Sequence, residues 1–386
     1  MTRPNQPISP VGSMTVATRA LVTLGLLISL VLSIGCESMK ASQTFSNAIG
    51  FGGIPPVDLE EQYINEDSEF LEIRGMRIHY RDVGEGPVII LVHGIFSSLH
   101  TWDGWVEELR KSNRVITLDL PGFGLTGGPE DIEQFDVEFV YAVFKNFIQY
   151  MDAEHFTLAG NSFGGYLSAR YAIDHPDKVD RLILIDPSGY SHGDRPLVFK
   201  MASTPVVSSI MKVFQPPFMI TRNVKRNYGD PEKLTKENLY RYVHMAQRQG
   251  AKPLYVKTLQ MLGEDKAKTT DMSFSGVKAP TLLMWGEADA WTPLKLSERW
   301  MADLRNVKLI TYPDVGHMPM EEIPFQTVSD AITFLADAPG AGDAEEDTFR
   351  SIKKTTGEDL ESLINDSNEF QELSEEEVKR MEQDLK

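Results

Sequence analysis

Ser162, Asp289 and His317 are the residues whose surroundings suit them to nucleophilic chemistry. Ser162 stands in Gly160-Asn161-Ser162-Phe163-Gly164-Gly165, after a short apolar run and before a helix-forming run. That order spells strand, tight turn, helix. In a Gly-x-Ser-x-Gly elbow the serine takes a strained backbone conformation, the glycines let strand and helix pack closely, and the hydroxyl stands clear of the sheet. A serine hydroxyl is a poor nucleophile until a base removes its proton, and the base needs an acid to hold its tautomer. His317, in Tyr312-Pro313-Asp314-Val315-Gly316-His317, falls in a loop just past the last predicted strand, where α/β sheets put their ligands. Asp289, in Trp285-Gly286-Glu287-Ala288-Asp289, follows the preceding strand and is placed to orient His317. Glu287 and Asp186 compete for that role.

Acyl transfer also needs backbone donors for an oxyanion. The N–H of Phe163, directly after the serine, is one expected donor. The other is expected from the turn His93-Gly94-Ile95-Phe96, with the bend at Gly94 and Ile95 preferred to Phe96. A second Gly-x-Ser-x-Gly match, Gly189-Tyr190-Ser191-His192-Gly193, lacks a helix after it, because Pro187 and Pro196 punctuate the stretch. It reads as a loop. His79, His93, His100, His155, His175, His192 and His244 show no partner pattern.

The elements that must carry these groups alternate along the chain. Residues 69–74 and 76–82 read as a hairpin about Gly75, and 87–92 is the continuous apolar run of a strand buried on both faces. Helix is expected over 99–111, 135–151, 163–174, 294–304 and 325–335, and strand over 114–120, 156–159, 181–185, 281–285 and 307–312. Such alternation implies an α/β fold, a mostly parallel sheet with helices on both faces. Between 189 and 276 the rhythm breaks into a helical pattern rich in Met and aromatic residues, expected to be an inserted cap. The core is therefore expected over 68–188 and 277–338, preceded by a Gly/Pro-punctuated tether over 37–67.

The chain has 386 residues and a formal charge of −18, which argues against a nucleic-acid partner. Half of that charge is local, since residues 340–386 hold 15 acidic and 6 basic side chains. The segment 339–386 reads as a solvated acidic tail. Residues 1–36 have the layout of an export signal: Arg3 and Arg19, no Asp or Glu before residue 36, and an apolar run over 20–35. The single cysteine, Cys36, follows directly. Leu32-Ser33-Ile34-Gly35-Cys36 resembles a bacterial lipobox, departing from it at Ser33, where a large aliphatic residue is usual. The resemblance implies lipidation of Cys36 and an exported, membrane-anchored protein of the cell envelope, with a cleaved secretory signal or an uncleaved anchor as the alternatives.

Residues 68–338 resemble the α/β-hydrolase superfamily. The His-Gly turn, Asp119-Leu120-Pro121-Gly122-Phe123-Gly124, the elbow, Trp-Gly-x-x-Asp-x-x-x-Pro and Gly316-His317 followed by Glu322 occur in that family's order. The resemblance implies a Ser162, Asp289, His317 triad and no cofactor. Asn161 with Gly164-Gly165 is similar to the carbon–carbon hydrolases of ring-fission products. Ile95-Phe96-Ser97 and Met318 depart from those enzymes, which carry a glycine-rich turn and a Trp there. Ser162 differs from the Asp nucleophile of epoxide hydrolases. The expected activity is ester hydrolysis, carboxylesterase or small lipase, on a small apolar substrate, with a non-catalytic envelope binding protein as the competing class.

Overall fold

The computed structural model describes residues 46–190, 197–264 and 272–337. The expected export segment with Cys36, the alternative Ser191 and the acidic segment 339–386 lie outside them. An eight-stranded sheet runs in the order β1 (Ser68–Ile73), β2 (Met76–Val83), β4 (Arg114–Leu118), β3 (Val88–Val92), β5 (Phe156–Asn161), β6 (Val179–Ile185), β7 (Thr281–Gly286), β8 (Val307–Tyr312). Strands β1 and β2 pair antiparallel, β2 joins β4 antiparallel, and every later pair is parallel. The hairpin turns at Arg74-Gly75, as the alternation predicts.

Strand β3 shows why an unbroken apolar run belongs in the middle of such a sheet. Ile90 and Val92 join one core cluster, whereas Ile89 and Leu91 join another on the opposite face. The first face is covered by α3 (Val137–Tyr150) and α4 (Phe163–Asp174), the second by α2 (Asp103–Leu109) and the C-terminal α12 (Pro324–Ala336). Val140, Phe144, Phe147 and Ile148 lie at helical spacing on the buried stripe of α3, and Asp136 caps its start by accepting from the Phe139 N–H at 2.7 Å. On the other face the Trp105 indole donates to Thr327 at 2.9 Å, tying α2 to α12. The predicted helix over 99–111 is in fact a 3₁₀ turn, Leu99–Trp102, followed by the shorter α2.

Between β6 and β7 the chain leaves the sheet for α5 (Leu197–Ser203), α6 (Pro205–Met211), α7 (Pro217–Lys225), α8 (Lys236–Ala246) and α9 (Ala251–Glu264). Ala202 of α5 packs on Val256 and Leu259 of α9, while Ala246, Leu254 and Tyr255 reach the main core. The stretch read as a tether differs from that expectation. Pro56–Tyr63 forms helix α1 with Leu59 fully buried, and Ile54 bridges to Arg248 of the helical insertion. Lys252 donates to the carbonyls of Gly50 and Gly52 at 2.7 and 2.6 Å, so this segment is fastened to the insertion. After β8 come the short α11 (Pro319–Glu322) and α12; α10 (Ser297–Asp303) precedes β8 and buries Trp300.

Candidate active site

Ser162 sits between β5 and α4 with φ +55° and ψ −120°. A non-glycine residue there carries strain of about 1–3 kcal/mol, which persists only if the surroundings impose it. They do so by close packing. A Cβ on Gly160 would stand 2.4 Å from the Gly164 carbonyl oxygen, and one on Gly164 would stand 2.3 Å from that of Val92. Only glycines let α4 start this close to β3 and β5. The Ser162 N–H donates to Ile185 at 3.0 Å, and its hydroxyl lies 3.4 Å from that of Ser188, a neighbour the sequence did not suggest.

His317 and Asp289 reach the same place from loops after β8 and β7. Nδ1 of His317 is 2.6 Å from Oδ2 of Asp289. Asp289 is itself held by the N–H groups of Trp291 and Thr292 at 2.6 and 3.1 Å and by the Thr292 hydroxyl at 2.5 Å. The buried Trp285 indole donates to the Thr292 carbonyl at 2.8 Å and fixes that turn. The two loops are stitched by Ala288 N–H to Val315 O at 2.9 Å, and a Cβ on Gly286 would stand 2.1 Å from the Gly316 oxygen. Of the three acids considered, Asp289 alone hydrogen-bonds His317. Glu287 turns to the Thr311 hydroxyl at 2.7 Å. Asp186 accepts from the Gly286 N–H at 2.9 Å, and burial together with the adjacent Asp289 pushes its carboxyl well above the usual range.

Glu322 explains the Gly-His-x-x-x-x-Glu spacing. Its carboxylate accepts from the N–H groups of Gly316, Gly229 and Asp230 at 2.9, 3.0 and 2.9 Å, holding the His317 loop against the insertion. Asn161 works from the other side. Its amide donates to the carbonyls of Ile185 and His317 at 3.1 and 3.0 Å, linking the elbow to the histidine loop.

The turn after β3 differs in detail from expectation. The left-handed residue is Phe96, φ +58°, and not Gly94. Gly94 is needed for a different reason: a Cβ there would lie 2.9 Å from that of Ser162. His93, fully buried, accepts from the Leu120 N–H at 2.9 Å and donates to the Gly94 carbonyl at 2.6 Å; burial lowers its pKa, which keeps the ring neutral as that pattern requires. Asp119, in the Pro-Gly-x-Gly motif, pairs with His79 at 2.8 Å and accepts from Leu99 and Leu125 N–H groups at 2.7 and 2.8 Å. His79 thus has a partner that its sequence neighbourhood did not reveal. Burial opposes charge on Asp119, but the neighbouring histidines win and hold its carboxyl below the usual range.

These parts surround a cavity of about 290 Å³ whose wall includes Ser162, Ser188, Phe163, Ile95, His317 and, from the insertion, Tyr255. Phe163 opens α4, so its N–H has no acceptor within the helix. Ile95 and Phe96 line the same cavity. Among the described residues no hydrogen bond joins Ser162 to His317, a looseness common in unliganded sites. No group of three or more His, Cys, Asp and Glu side chains among the described residues is arranged to hold a metal ion.

A family model described as alpha/beta hydrolase fold matches residues 87–205. This is an α/β-hydrolase fold. An uncharacterized protein of Mycobacterium tuberculosis is 24% identical over 299 residues, covering 75% of this chain and 86% of its own. The 2-hydroxy-6-oxo-2,4-heptadienoate hydrolase of Pseudomonas putida is 27% identical over 250 residues, covering 63% of this chain and 87% of its own. Among solved structures, a membrane phospholipase A described as a bacterial virulence factor superposes with a TM-score of 0.61 at 23% identity, over 82% of this chain and 97% of its own. The comparisons support a hydrolase in the broad sense.

Proposed function

We propose that this hydrolase cleaves carboxylic esters of small apolar acids through an acyl-enzyme on Ser162. What carries the reading is the 2.6 Å contact of His317 with Asp289, beside a serine held at φ +55° on the same cavity wall. His317 Nε2 takes the hydroxyl proton as Ser162 Oγ bonds to the acyl carbon. The carbonyl electron pair moves onto oxygen, where the N–H groups of Phe163 and Ile95 receive it. Collapse of that intermediate breaks the ester bond, and His317 returns the proton to the leaving alkoxide. Water then repeats the sequence and frees the acid. Asp289 holds Nδ1–H and stabilises the imidazolium throughout. No step needs a cofactor. Val198, Phe199, Met211, Met219 and Leu259 give the cavity an apolar lining suited to an acyl chain.

Short p-nitrophenyl esters test this directly: the wild type turns them over and Ser162→Ala loses at least about 10³-fold in kcat, as removal of a nucleophile does. Undiminished turnover by that variant overturns the proposal. A second reading, carbon–carbon hydrolysis of ring-fission dienoates, is favoured by the Gly-Asn-Ser-x-Gly-Gly elbow and by the Pseudomonas relative. Turnover of such a dienoate in preference to esters would select it. We also propose export and anchoring through a lipidated Cys36; globomycin-sensitive processing that is lost in Cys36→Ala is the expected result, and processing unchanged by that substitution would overturn it.

A further inference from the structure

Of the thirteen large apolar side chains exposed among the described residues, seven fall within residues 49–51 and 197–218. Val206 is 72% exposed, Phe218 69% and Phe51 57%, with Ile210 and Val213 also exposed. The N-terminal segment and the connection between α6 and α7 meet directly. Phe51 packs on Phe214 with ring centroids 4.7 Å apart, and the Gln215 N–H donates to Gly50 at 3.0 Å, which seats the N-terminal segment between α6, bearing Val206 and Ile210, and α7, bearing Phe218. A contiguous apolar patch on a soluble face signals an interaction site.

Charge is segregated onto the same stretch. From Leu197 to Arg226 there are five cations, Lys200, Lys212, Arg222, Lys225 and Arg226, and no Asp or Glu, in a chain whose net charge is −18. All five are exposed, and none makes an ion pair or side-chain hydrogen bond among the described residues. Exposed apolar side chains interleaved with unpaired cations on short helices make a face that lies on anionic lipid. The helices are also the cavity wall: Met211 of α6 and Met219 and Ile220 of α7 point into it while Ile210 and Phe218 stand exposed. An apolar molecule leaving a bilayer at this face has one helix layer to cross. Residues 36–48 are all that separate Ile49 from the apolar run 20–35, a reach of at most ~45 Å fully extended.

We propose that the face formed by residues 49–51, α6 and α7 docks on an anionic lipid surface, holding the cavity against the bilayer. The proposal does not rest on the ester chemistry, and its test reads no activity. The full-length protein carrying Phe218→Trp is mixed with vesicles of phosphatidylglycerol and phosphatidylcholine brominated along the acyl chain; Tyr150→Trp, at the end of α3 and the amino edge of the sheet, is the reference. The expected result is strong quenching of the tryptophan at 218, none at 150, and severalfold less quenching at 218 when Lys212→Glu and Arg222→Glu are added. Vesicle-bound protein whose tryptophan at 218 stays unquenched would mean attachment by another segment and overturns the proposal. Equal quenching in purely zwitterionic vesicles, unchanged by the two charge reversals, removes the anionic surface as the occupant and also overturns it. So does shielding of position 218 from acrylamide before vesicles are added, which would assign the face to a second copy or to the acidic residues 340–386 of the chain.

Discussion

Asp289 and Asp186 stand at the carboxyl ends of neighbouring strands, and two adjacent buried carboxylates cannot both be charged at low cost. The structure separates their roles by their donors. Asp289 meets His317 and three further donors, whereas Asp186 receives only the Gly286 N–H on Oδ1 and leaves Oδ2 without a hydrogen-bond partner among the described residues. Burial and the adjacent Asp289 favour the protonated form of Asp186, of which asparagine is the isostere. Asp186→Asn is expected to keep kcat within a few-fold, and Asp289→Asn to lower it by about 10⁴-fold through loss of the correct tautomer; ester kinetics on both variants decide it. The raised carboxyl also has a stability consequence. The unfolded chain releases this proton above about pH 4 while the folded one holds it to higher pH, so folding is penalised increasingly as pH rises from there. Asp186→Asn should melt at or above the wild-type temperature at pH 7, with the difference vanishing near pH 4.

At the scale of elements, the site is a set of loops pinned by buried polar side chains. Glu322 carries three backbone N–H groups, two from the insertion and one from the histidine loop. Glu322→Ala leaves those donors unpaired, at about 1–3 kcal/mol for a buried polar group. It is expected to lower the melting temperature by several degrees and to reduce kcat more than KM raises, because the loop it frees carries His317; calorimetry and ester kinetics check the two halves. Such pins mark the boundary of what the sequence shows. Ser162, Asp289 and His317 were legible as candidates because each lies within a few residues of a strand's carboxyl end with turn residues around it. The partners of Asp119 and Asn161 were not, because His79 lies 40 positions upstream on an antiparallel strand and the His317 carbonyl 156 positions downstream. Sheet topology creates those neighbours, and no local spacing encodes them. Gly94 was read for backbone freedom when its role is close approach to Ser162, a contact equally invisible along the chain.

Across the whole molecule the α/β architecture was readable from period alone, since alternating strand and helix patterns leave few ways to close a sheet. Of the stretch 37–67 read as a tether, the part that folds as helix, Pro56–Tyr63, was misread for a local reason. Pro55-Pro56 and the glycines suggested a linker, yet Pro56 is at the first turn of α1, where its missing N–H costs nothing. Global stability should also carry a signature of burial. His100 is held neutral, with Nε2 3.0 Å from the Tyr63 carbonyl, and burial, helped by Arg81 and Arg241, brings its pKa down to about 3. The unfolded chain takes up this proton below about pH 6.5 while the folded one does not until about 3, so stability falls as pH drops through that interval. His93 acts in the same direction. Melting temperature is expected to decline from pH 7 to pH 4, and His100→Gln to decline less steeply over the same range.

The account rests on Ser162 being the nucleophile, and covalent trapping asks that question most directly. The full-length protein is treated with a fluorophosphonate and its peptides are mapped by mass spectrometry. An adduct on Ser162, absent from His317→Ala, is the predicted result. An adduct on Ser191, or no adduct on a folded protein that still hydrolyses esters, would contradict it.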